Sequence, residues 1–132
     1  MNPTLNALLV TLLWSCTDEH GDPLDSEYSP SDVCEKDAEK LYKEFQAFLE
    51  IVEPQINAIA GDGWDCIDDF YDRMQPSDSQ AEHDYIMTRN HEGVGFWDGD
   101  WSESVSDILT KAAQSQPEIV ACVGDDNKIY LY

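Results

Sequence analysis

The chain has 132 residues, of which 28 are Asp or Glu and seven are Lys or Arg, giving a formal net charge of -21 at pH 7. A surface of that sign repels nucleic acid and anionic membranes and attracts basic partners. A disordered acidic tail is excluded as well. Residues are 42% hydrophobic and 11% aromatic, with Trp14, Trp64, Trp97 and Trp101 spread along the length, whereas solvating acidic segments carry few aromatics. Acids number 12 in residues 1–60 and 16 in 61–132, without long like-charged blocks. One folded domain over 1–132 with an acidic skin is expected.

Asn2-Pro3-Thr4, rather than Lys or Arg, precedes the apolar run from Leu5 to Trp14, so the run does not read as a signal peptide. At about ten residues it also falls short of a membrane span. Leu5, Leu8, Leu9, Leu12 and Leu13 have helical spacing and predict an N-terminal helix over 4–15. Cys16, Cys34, Cys66 and Cys122 form no C-x-x-C pair or zinc spacing and are expected to be small, mostly buried residues in a reducing cytosol.

Residues 17–30 are rich in breakers and predict a loop. Ser29-Pro30-Ser31-Asp32 is a helix-start signal, with a hydroxyl at the cap, Pro in the first turn and an acid three residues on. In the following helix Leu41, Phe45, Phe48 and Val52 recur at i, i+4, i+7 and i+11, widened by Tyr42 and Leu49. Glu35, Glu39, Lys40, Lys43 and Glu44 fall outside that stripe, and Pro54 is expected to kink or end the helix. Over 62–74, Trp64, Ile67, Tyr71 and Met74 define one face of a further helix. Asp65, Asp68, Asp69 and Asp72 form a carboxylate stripe between them, with Asp62 at the cap.

From Asp84 the period changes to two. Asp84–Asn90 predicts a strand, with Val94–Trp97 as its hairpin partner. Helical spacing returns over 101–115 through Trp101, Val105, Ile108, Leu109 and Ala112. Ile119–Val123 and Lys128–Leu131 predict a second hairpin around Gly124-Asp125-Asp126-Asn127. The expected class is α+β, with helices packed on a small antiparallel sheet made of two hairpins.

Three segments carry a resemblance: His83-Asp84-Tyr85-Ile86-Met87-Thr88-Arg89-Asn90, Gly93-Val94-Gly95-Phe96-Trp97-Asp98, and Val123-Gly124-Asp125-Asp126-Asn127-Lys128-Ile129-Tyr130-Leu131. They resemble a family of small phage and mobile-element proteins whose recurring segment runs approximately H-D-F-W-L-T-R-N-G-H-G-A-G-F-W-D. These proteins end in a V-G-D-D-G-x-I-Y-L-type hairpin. Leu12-Leu13-Trp14-Ser15-Cys16-Thr17-Asp18 with Pro23-Leu24-Asp25 is similar too, so the likeness covers about half the chain. The family's turn reads G-H where this chain has His91-Glu92. The resemblance implies a phage or plasmid origin and a bacterial host cytoplasm, and it brings no established activity.

Little in the sequence promotes catalysis. His83 and His91, eight residues apart in an extended strand, would lie about 25 Å from each other, too far to share an ion with Asp84 and Asp98. A carboxylate stripe exposed on a helix lacks the burial that raises one partner of a catalytic acid pair. No P-loop, G-x-G-x-x-G, H-E-x-x-H or nucleophile elbow occurs. No enzyme activity, metal or cofactor is expected. Arg89 and Asn90 could form a recognition pair, but Arg89 among so many acids is expected to pair with one of them.

The leading expectation is an anti-CRISPR or anti-restriction type of inhibitor. It would be an acidic nucleic-acid mimic that occupies the cationic groove of a basic host protein or ribonucleoprotein complex, without binding nucleic acid or membrane itself. Helical acids three or four apart lie about 5–6 Å from one another, near phosphate spacing. The contact is placed on Asp62, Asp65, Asp68, Asp69 and Asp72, extended by Asp98, Asp100, Glu103 and Asp107. The alternative is an accessory interaction module whose acidity serves solubility and which docks through the aromatic hairpin around Phe96-Trp97.

Overall fold

The computed structural model describes residues 3–18, 20–59, 80–91, 95 and 103–132. Their elements, numbered in chain order, are α1 (Pro3–Ser15), α2 (Glu35–Ile59), α3 (Gln80–Arg89), α4 (Glu103–Gln114), β1 (Ala121–Val123) and β2 (Ile129–Leu131). Short 3-10 turns cover Leu24–Ser26 and Pro30–Asp32. The described residues are mostly helical with one two-stranded antiparallel sheet. None of its described helices is long and apolar enough to cross a membrane.

In α1 the leucines at 8, 9, 12 and 13 are fully buried, as their spacing predicts, while Val10 and Trp14 remain on the outside. Along α2 the stripe Leu41, Phe45, Phe48 and Val52 is buried and continues through Ala38 and Ile56. Pro54 does not end this helix. It sits on the exposed side between two buried anchors, Val52 and Ile56, and helical structure runs on to Ile59. In α4, Val105, Leu109 and Ala112 are buried and Ile108 packs at the margin.

The capping signal at Ser29 is used, with a shift. The Ser29 N–H donates to the Asp32 carboxylate at 2.8 Å, and the turn it opens is Pro30–Asp32. Val33 then makes a parallel bridge to Ile129, and the Cys34 N–H donates to the Ile129 carbonyl at 2.7 Å. These two residues are extended by the sheet, so α2 cannot start until Glu35.

The expected strand over 84–90 is instead α3. A helix buried on every side carries no polar stripe. Ala81, Glu82, Asp84, Tyr85, Ile86, Met87, Thr88 and Arg89 are all buried, so no 3.6-residue period survives in the sequence. The β-branched and aromatic Tyr-Ile-x-Thr run then imitates a strand. The first of the two expected hairpins therefore lacks its first strand, and the described residues hold one sheet of two strands. Helix α3 packs between α1 and α4. Its Tyr85 ring meets α2 edge-on at Phe45, 4.9 Å between centroids, and lies 4.8 Å from Phe48. The α3 helix ends in a left-handed residue, His91, with φ 56°.

The C-terminal hairpin has the expected position. Ala121 opposes Leu131, Cys122 opposes Tyr130 and Val123 opposes Ile129. Its loop closes through Asn127 N–H to Gly124 C=O at 3.1 Å and Gly124 N–H to Lys128 C=O at 2.8 Å. Asn127 adopts φ 62°, a type I turn followed by a left-handed residue. The Tyr130 ring lies across Gly124, where an added Cβ would come within 2.5 Å of it. The cysteines fit the expectation only in part. Cys16 and Cys34 are half-buried, Cys122 is exposed on β1, and all three are free thiols.

Candidate interaction surfaces

Most of the acids expected to form the contact, Asp62, Asp65, Asp68, Asp69, Asp72, Asp98 and Asp100, lie outside the described residues. So do Phe96 and Trp97. Glu103 opens α4 and only its backbone is described, while Asp107 is exposed one turn further on. The strand that was to carry the aromatic hairpin is the buried helix α3, so residues 84–90 do not supply its first strand.

Arg89 and Asn90 are structural. Arg89 is 2% exposed, and its guanidinium donates to both carboxylate oxygens of Glu44 at 3.1 and 3.3 Å. It also donates to the Tyr85 hydroxyl at 3.1 Å and to the Pro117 carbonyl at 2.7 Å. Tyr85 in turn donates to the Gln116 side-chain oxygen, and the Gln116 amide donates to the Glu44 carbonyl at 2.9 Å. The ring of bonds ties α2, α3 and the segment after α4 together. Burial pushes the Tyr85 hydroxyl up to about 12. Glu44, expected on the outer surface beside Lys40, is instead half-buried as the counter-ion of Arg89. Asn90 meets Ile119 with both ends of its amide, donating at 2.9 Å and accepting at 2.8 Å, as a neighbouring strand would.

The two histidines are closer than a strand would place them. A helical rise of 1.5 Å per residue makes the 83–91 separation about 12 Å rather than 25 Å. His83 is partly exposed, bonded through Nδ1 to the buried Asp84 carboxylate at 3.1 Å. Its ring lies 6.0 Å from that of Trp14. Among the described residues no group of His, Cys, Asp or Glu is placed to hold a metal ion.

Surface charge is unevenly divided. Lys36, Lys40 and Lys43 alternate with Glu35 and Glu39 on the outer side of α2, so that face is close to neutral. Between Thr17 and Asp32 there are six acids and no Lys or Arg. This loop faces β1 across an open groove of about 500 Å³ lined by Thr17, Asp18, Glu27, Tyr28, Val120 and Val123, among others. Asp18 accepts from the backbone N–H groups of Asp22 at 3.1 Å and His20 at 2.8 Å. Those bonds, the one from Asp22 foremost, hold its carboxyl below the usual range. At the far end of the hairpin Asp126 accepts from the Tyr130 hydroxyl at 2.6 Å. The bond lowers the Asp126 carboxyl and raises the Tyr130 phenol to about 12.

Sequence reasoning missed the groove because neither wall is a recognisable motif. The available signal was the stretch 17–32, which has six acids and no Lys or Arg. Comparison of the chain with family models, with curated proteins and with solved structures finds no match.

Proposed function

We propose that the protein is a non-enzymatic inhibitor from a phage or mobile element that binds a basic host complex in the place of nucleic acid. The observation that carries this reading is a net charge of -21 on a chain whose described part has a continuous, well-packed core. Charge of this size opposes compaction, and docking against a cationic groove relieves that opposition. In this reading the contact surface is Asp62, Asp65, Asp68, Asp69 and Asp72, with Asp98, Asp100, Glu103 and Asp107 continuing it. The inhibited partner is a CRISPR effector or restriction enzyme in the bacterial cytoplasm.

The test is expression in bacteria that carry an active restriction or CRISPR system, with phage plating efficiency as readout. The wild-type chain should raise plating, and Asp65→Lys, Asp68→Lys and Asp72→Lys combined should abolish the rise while far-UV circular dichroism stays unchanged. Full inhibition by a folded triple variant would remove this surface from the proposal.

A further inference from the structure

Strand β1 has one unpaired edge. The bonded positions opposite β2 are Val120, Cys122 and Gly124, seen in the reciprocal Val120–Tyr132 bonds and the Gly124–Lys128 bond. Alternation in an antiparallel ladder then turns the N–H and C=O of Ile119, Ala121 and Val123 to the other side. At Ile119 they are taken by the Asn90 amide, and the Ala121 N–H meets the Cys16 sulfur at 3.5 Å. The Ala121 C=O and both groups of Val123 meet no hydrogen-bonding partner among the described residues. Val123 is 38% exposed.

The opposite wall is open in the same way. Thr17 bridges Pro23, and the bonds flanking that bridge run from Asp18 N–H to Asp22 C=O and from Leu24 N–H to Cys16 C=O. The Thr17 N–H and C=O are thereby directed away from Pro23, and Thr17 lines the groove that β1 borders. Thr17 and β1 thus line one groove, and the Cys16–Ala121 contact ties the two walls together beside it. A stretch of extended backbone laid along β1 in this groove would satisfy its free groups, with Thr17 on the facing wall.

We propose that this groove receives an extended, Lys- or Arg-bearing segment of a partner protein as an added strand. The basic character follows from the walls. Asp18 and Glu27 line the groove, Asp22 and Asp25 stand on the same loop, and that loop has no Lys or Arg. The same charge opposes pairing with a second copy of this chain. Main-chain bonds provide affinity, the acids select the sign of the partner, and Ala121 and Val123 favour small or apolar residues between the basic ones. The inference uses none of the acids in the 62–72 stripe and stands apart from the function proposed above.

Peptides of about six residues alternating Lys or Arg with Val or Thr serve as the probe, titrated into the purified full chain labelled with 15N. Binding should shift the Val123 and Thr17 amides and slow their exchange with solvent. N-methylation of alternate peptide amides should weaken binding about tenfold or more. Glu27→Lys, a change at an exposed side chain, should weaken it about two- to fivefold. Lack of binding, equal binding of a Glu-for-Lys peptide, or binding indifferent to N-methylation would overturn the proposal. Protection of Val123 in concentrated protein without peptide would assign the edge to a second copy and overturn it as well.

Discussion

Glu44 beside Arg89 and the acids of the Thr17–Asp32 loop are carboxylates placed in opposite circumstances. At Arg89, one cation, one carboxylate, one phenol and two carbonyls meet within a closed set of bonds, and almost no water reaches the guanidinium. In the loop Asp18 and Asp32 accept from backbone N–H groups, Asp32 also from the Ser29 hydroxyl, and no Lys or Arg of the loop meets them. The difference teaches that the net charge of -21 is not one property of the molecule. Among the described residues Arg89 is spent on the interior and Lys36, Lys40 and Lys43 on α2, while Lys111 stands on α4 and Lys128 beside the hairpin turn, and this leaves the 17–32 loop without a Lys or Arg of its own.

The comparison breaks most visibly at Arg89. Arg89→Ala leaves the half-buried Glu44 carboxylate, the Tyr85 hydroxyl and the Pro117 carbonyl without their donor, and should destabilise the fold by about 3 kcal/mol in urea denaturation. Arg89→Lys should recover little of this, because an ammonium cannot reach three elements in a fork. Glu27→Gln in the loop should change stability by less than about 0.5 kcal/mol.

Two tyrosines sharpen the contrast because they arrive at the same value by different causes. Tyr85 is raised to about 12 by burial and Tyr130 to about 12 by its bond to Asp126. A raised folded value means that the folded state keeps a proton the unfolded chain gives up. The stabilisation from Tyr85 is therefore complete below about pH 10 and is lost as pH rises from there to 12. For the buried Tyr85 the loss is roughly 2–3 kcal/mol. Spectrophotometric titration checks the assignment. Asp126→Asn should return Tyr130 toward 10 and leave Tyr85 unmoved, and a shift of both would mean that the two sites are coupled.

The elements legible in the sequence were those half in water. The α2 stripe from Leu41 to Val52 and the α4 positions Val105, Leu109 and Ala112 alternate with residues that face solvent, and the hairpin turn at Gly124-Asp125-Asp126-Asn127 is marked by its turn-forming residue types. That alternation is what a sequence records. Helix α3 was illegible because it touches solvent almost nowhere, and its buried Glu82, Asp84 and Arg89 imitate a polar face. The role of Glu44 could not be read locally either, since its partner lies 45 residues away. The groove beside β1 is a tertiary product of a loop and a strand distant in sequence, and only the run of acids without Lys or Arg between Thr17 and Asp32 pointed toward it.

The smallest expected effect separates two residues with similar backbone geometry. His91 ends α3 at φ 56° and Asn127 ends the hairpin turn at φ 62°. A left-handed backbone crowds the Cβ of most residues by about 1 kcal/mol, while Asn tolerates it through local hydrogen bonding. The His91 N–H bond to the Thr88 carbonyl, 3.1 Å, is made by the backbone and survives substitution. His91→Gly removes the crowding but adds freedom to the unfolded chain, so a net gain of roughly 0.5 kcal/mol is expected. Asn127→Gly lacks the first of these contributions and should be neutral or slightly destabilising. Thermal unfolding of the two variants side by side decides it: equal shifts would mean that the end of α3 is held by its neighbours rather than by its own backbone preference.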